Sequence, residues 1–126
     1  PAGSAGLAYF AISQSEAFTG RAVVHGLRAT TSARSNLAVF NPGSSSTTVR
    51  VAAVSGSGDG REVAVADALR LEAGEWRQID GILAKTGLEQ GWAVVERTEG
   101  GAFGAYGVVN DNQTGDGTVF RMVRSR

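Results

Sequence analysis

The chain has 126 residues, with 12 basic and 12 acidic side chains and no cysteine. That length suits one domain with a real core. The missing cysteine removes disulfides, thiolate metal sites and cysteine nucleophiles together, and the balanced charge, without a basic stripe, argues against nucleic-acid binding. No apolar run approaches the ~20 residues of a membrane span.

Glycine supplies 18 residues and proline only two, a balance that points to many tight turns in a folded chain. Turn signals recur at short intervals, and the segments between them are β-branched or aromatic, which reads as an all-β chain. The opening Pro1–Gly6 is made of small residues and has no initiator methionine, which suggests a processed, secreted protein. Leu7–Ser13 is the first expected strand.

Leu7, Tyr9 and Ala11 alternate with Ala8, Phe10 and Ile12, so this strand is apolar on both faces and expects cover on both sides. One reading makes it the first strand of its own domain. The sharper one makes Leu7, Tyr9, Phe10 and Ile12 a docking strand that pairs with a neighbouring subunit, with residues 1–13 acting as linker plus strand.

Further strands are expected at Arg21–Leu27 and Ser35–Phe40, the second ending in the Asn41-Pro42-Gly43 turn. Thr47–Val54 alternates most clearly, with Thr47, Val49, Val51 and Ala53 on one face. After the glycine-rich stretch Ser55–Gly60 come Glu62–Ala66, Ala68–Leu71 and Trp76–Ile79. A short helical turn is expected near 81–86, with Asp80 as its cap and Gly87 past its end. Trp92–Thr98, Ala102–Val109 and Thr118–Val123 complete a set read as a single β-sandwich domain of roughly 7–9 antiparallel strands.

Catalytic signals are sparse. His25 is the one histidine and lies in an apolar strand, without a paired nucleophile and orienting group in view. Gly56, Gly58 and Gly60 lack the following lysine and helix of a phosphate loop. The chain is therefore expected not to be an enzyme.

The segment from Asn110 to Gly117 carries Asp111, Asn112 and Asp116, oxygen donors spaced as calcium would use them. Arg121 stands where an EF-hand needs glutamate, and Asn, Asp and Gly also build metal-free turns. Trp76, Trp92 and Tyr106 are candidates for a sugar-stacking platform, or for half-buried packing.

Four stretches carry a family likeness: Arg34–Gly43, Thr47–Val54, Leu71–Ile79 and Ala105–Thr118. In this order they resemble the uncharacterised immunoglobulin-like β-sandwich modules of proteins secreted by environmental bacteria. The likeness covers about Arg21 to Val123 and leaves the leader outside. It implies secretion and a scaffold or adhesive role, and it transfers no catalytic residue. The expectation is thus an extracellular or cell-surface structural protein, a filament subunit or surface-protein module that self-associates by strand pairing. The alternative is a glycan-binding adhesion module, with or without calcium.

Overall fold

The computed structural model describes residues 20–125, so the Leu7–Ile12 docking strand lies outside the described residues. The described chain is all-β: β1 (Arg21–Arg28), β2 (Ala33–Phe40), β3 (Thr47–Ser55), β4 (Glu62–Leu71), β5 (Trp76–Ile79), β6 (Gln90–Gly100), β7 (Gly104–Asp111) and β8 (Gly117–Ser125). Every pairing is antiparallel. The expected helical turn near 81–86 is a single 3₁₀ turn at Ala84–Thr86, stopped by Gly87 in the left-handed region.

The strands form one sheet in the order β4-β3-β6-β1-β8-β7-β2-β5. The pairing is nested: β1 with β8, β2 with β7 and β3 with β6, while β4 and β5 are joined by the turn Glu72–Glu75. A long hairpin folded over on itself gives this order, the winding principle of jelly rolls. The expected all-β arrangement of antiparallel strands is present, but two separate sheets are not clearly distinguished, because β8 belongs to both layers. Its first half pairs with β7 from Gly117 to Arg121, and its second half pairs with β1 from Met122 to Ser125. Among the described residues the result is barrel-like, open between the edge strands β4 and β5.

That seam is filled from within. After β5, Gly81 donates its N–H to the Asn36 side chain (2.9 Å) and Ile82 donates to the Ser35 carbonyl (3.1 Å). These bonds run along β2 just beyond the reach of β5, which pairs only with Leu37–Phe40. Ile82, Leu83 and Leu88 then enter the core together with Leu37, Val49, Val51, Leu71 and Phe103. Closure is thus made by side chains where the ladder stops.

The alternation read in β3 holds, with Thr47, Val49, Val51 and Ala53 all buried. Its outer residue Ala52 is buried too. Arg50 reaches Glu62 at 3.6 Å and Glu96 at 4.0 Å, and the path to Glu62 runs past Ala52 and its partner Ala64. Exposed ion pairs of this kind add little by charge; the arginine stem contributes mainly by covering apolar surface.

Asn41, in the Asn-Pro-Gly turn, is buried and fully used. Its amide donates to the carbonyls of Ser45 (2.7 Å) and Leu71 (3.1 Å), and its side-chain oxygen accepts from Gly43 N–H (3.0 Å). It ties the β2–β3 loop to the end of β4. Replacing Asn41 with alanine strands those groups, so the expected loss is about 2–3 kcal/mol. Urea unfolding checks it, and a loss below about 0.5 kcal/mol, as at an ordinary surface site, would contradict the assignment.

Candidate functional site

Three regions carry the residues singled out by sequence. The first is the outer face of the layer formed by β5, β2, β7 and the first half of β8. In β2, Leu37 and Val39 point to the core, so Ala38 and Phe40 point outward. They meet Tyr106 of β7 in a second apolar cluster, flanked by Val108 and Val119. The Phe40 ring lies over Gly104, where a Cβ would overlap it, and sits 6.2 Å from the Tyr106 ring. Trp76, opposite Phe40 in the register, donates its indole N–H to the Tyr106 hydroxyl at 3.0 Å. Trp76 keeps 39% of its surface exposed. Two of the three expected platform residues therefore come together on one face.

Trp92, the third, lies on the opposite layer. It is half-buried on β6 and its ring stands 5.9 Å from that of His25, tilted by 43°. His25 is exposed. It sits at an irregularity in β1, where the β1–β6 register shifts between Val24 and Leu27 and Gly26 adopts φ 81°. Only glycine suits that place twice over. The backbone is left-handed, and an added Cβ would fall 2.5 Å from the Phe120 ring.

The third region is the β7–β8 turn. Asp111 accepts the N–H groups of Gln113 (2.8 Å) and Thr114 (3.2 Å) with one carboxylate oxygen. The turn closes with Asp111 N–H donating to the Asp116 carbonyl, 2.8 Å. Asn112 is bound to β2 and to the connection before it: its oxygen accepts from Arg34 of β2 (2.9 Å), and its amide donates to the Thr31 carbonyl of the β1–β2 connection (3.3 Å). These are Asx-turn bonds, and calcium at Asp111 would compete with them. Among the described residues, no three of His, Asp and Glu gather as a metal site would require.

Among the described residues, two carboxyls have displaced ionisation, and both are turn residues. Glu75 is held below the ordinary carboxylate range by the Glu72 N–H and then by Arg77; Asp59 is lowered chiefly by the Arg61 N–H. Both shifts favour the fold above the ordinary carboxyl pKa and fade as pH falls through the lowered one. They cap turns.

The fold and these surfaces define a barrel-like all-β domain with aromatic side chains on two outer faces. No family model and no curated protein matches the chain. Among solved structures it is similar to the one described as "Crystal Structure of Thermotoga maritima 1070", with a TM-score of 0.61 and 11% identity over 86% of this chain and 95% of that one. At that identity the likeness is one of fold alone.

Proposed function

We propose that the chain is a non-catalytic structural module working outside the cell, a pilus-like filament subunit or a unit of a larger surface protein, assembled by strand docking. The observation that supports this reading is a second apolar cluster, Ala38, Phe40 and Tyr106, buried on the side of its layer away from the main core, with half-buried Val108 and Val119 beside it. The same chain holds Leu7–Ile12, apolar on both alternating faces. In the assembly we propose, the Leu7–Ile12 segment of one subunit adds a strand to an open sheet edge of the next. Location outside the cell, and kinship with immunoglobulin-like modules, rest on the family resemblance.

Sedimentation of the full chain tests the reading against the double variant Tyr9→Asp, Phe10→Asp. The wild type is expected to form species larger than a monomer in proportion to concentration, and the variant to stay monomeric. Monomers in both would end the assembly proposal.

A glycan-binding role is the second reading, supported by the half-exposed Trp76 indole fixed in place by Tyr106 and by Trp92 on the other layer. Calcium, if it takes part, would act at the Asp111–Asp116 turn.

A further inference from the structure

Three shallow depressions at one end of the barrel share walls. The first, about 380 Å³, runs from Asp111, Thr114 and Asp116 to Arg28 and Phe120. The second, about 340 Å³, runs from Arg28 past Glu89 and Gln90 to Ser55 and Ser57. The third, about 390 Å³, lies between them, with Arg28, Gln90, Trp92 and Phe120 around a floor of Gly56 and Gly91. Arg28 walls all three, Phe120 joins the first to the third, and Gln90 joins the second to the third. They are one furrow, and it gathers Trp92, Asp111 and Asp116, which the sequence had suggested for separate roles.

The furrow is held in shape. The buried Ser35 hydroxyl accepts the Arg28 N–H at 2.7 Å and donates to the Arg28 carbonyl at 2.5 Å, fixing the backbone of the central residue. The Arg28 side chain is exposed, and among the described residues no carboxylate lies within ion-pair distance of it. Phe120 is fixed across Gly26, and Trp92 stands beside His25.

The chemistry of this lining is specific in kind. Half-buried Trp92 and Phe120 offer flat apolar faces, as the faces of sugar rings require. Arg28, Gln90 and Asp116 offer planar donors and acceptors that can each bridge two neighbouring hydroxyls, and Asp111, with one oxygen held in its turn, offers the other. One arginine stands among Asp111, Asp116 and Glu89, so the local field does not favour a polyanion. Each depression is near the lower end of the roughly 300–1,000 Å³ range of ligand pockets. An open trough suits a chain lying along it better than a small molecule enclosed within it.

We propose that this furrow binds a neutral oligosaccharide chain, with Trp92 stacking on a ring and Arg28 bridging hydroxyls. The inference rests on the glycan reading and is independent of assembly; it moves the platform from Trp76 to Trp92. The test titrates the full chain with neutral hexamers of glucose, xylose, mannose and N-acetylglucosamine, and with a uronate hexamer beside them, following tryptophan fluorescence and calorimetry. At least one neutral hexamer is expected to bind, with affinity unchanged by added salt. Arg28→Gln and Trp92→Ala are each expected to weaken it about tenfold or more, which corresponds to about 1.4 kcal/mol, while Trp76→Phe leaves it intact. The exposed Arg28 serves as the reading should Trp92→Ala disturb folding. Binding lost with Trp76→Phe but kept in Arg28→Gln would overturn the furrow and leave the glycan reading standing. Silence toward every hexamer, or binding of uronate chains alone, would overturn the furrow proposal, and silence toward all of them the glycan reading too.

Discussion

Replacing Leu83 with alanine is expected to cost about 2–5 kcal/mol of unfolding free energy, a fall in Tm on the order of 10 °C. Leu83 is fully buried, although it lies in a connection that contains only one 3₁₀ turn. In an ordinary surface loop the same change would cost less than about 0.5 kcal/mol. The difference arises because β4 and β5 are the two edges of the sheet and do not pair with each other. Where backbone closure stops, Ile82, Leu83 and Leu88 supply apolar closure. Truncating Leu83 leaves a cavity in the core cluster it shares with Leu71 and Leu37, which rigid strands cannot collapse to fill. Leu83→Met, which keeps the volume, should cost less than about 1.5 kcal/mol. Equal and small effects from both substitutions in urea unfolding would show that the segment does not seal the core.

Gly91→Ala is expected to be as damaging through a different cause. Gly91 is buried in β6 between Leu27 of β1 and Ser55 of β3. A Cβ there would overlap the Val54 carbonyl oxygen and lie 3.1 Å from its carbonyl carbon. The obstacle is backbone, so no rotamer change relieves it, and β3 must separate from β6. The expected cost is about 3 kcal/mol or more. Gly104 makes a useful contrast, since its Cβ would meet the side chain of Phe40, which can move. At Gly58, where nothing lies within 4 Å, only the positive φ of 86° resists alanine, at a cost of about 1–2 kcal/mol. Thermal unfolding of the Gly91 and Gly58 variants side by side separates backbone overlap from conformational strain. Similar losses in the two would contradict the close β3–β6 approach.

Much of the strand layout was legible because its signals are local. Thr47–Val54, within the observed Thr47–Ser55, follows from alternation, and the Asn41-Pro42-Gly43 turn from the conformational needs of its residues. Glu62–Ala66 and Ala68–Leu71 were expected as separate strands. They are one strand, β4, whose register against β3 shifts on either side of Val51, and the polar Asp67 marks the irregular stretch. The sandwich expectation holds in part, for its antiparallel all-β strands, and β8 departs from it for a physical reason. Which strand pairs with which is a non-local property, and a strand that changes partner halfway has the same local pattern as one that does not.

The site was legible only in pieces. Trp76 and Tyr106 were named together, but the indole-to-hydroxyl bond that unites them spans the intervening β2. The furrow was invisible because its walls come from Arg28, Gln90 and Phe120, which are far apart in the chain and unremarkable in composition. The irregularity at Gly26 was also hidden, since Val23–Leu27 reads as an ordinary apolar strand around one histidine.

Both proposed surfaces depend on the path of β8, which turns Val119 toward the outer cluster and Phe120 toward the furrow. Cross-strand NOEs and hydrogen-bond couplings from β8 in the full chain measure that path directly. The predicted result is contact of Thr118–Phe120 with Gly107–Val109 of β7, and of Met122–Arg124 with Ala22–Val24 of β1. A β8 paired along its whole length with one of these strands alone would contradict the single sheet and both surfaces built on it.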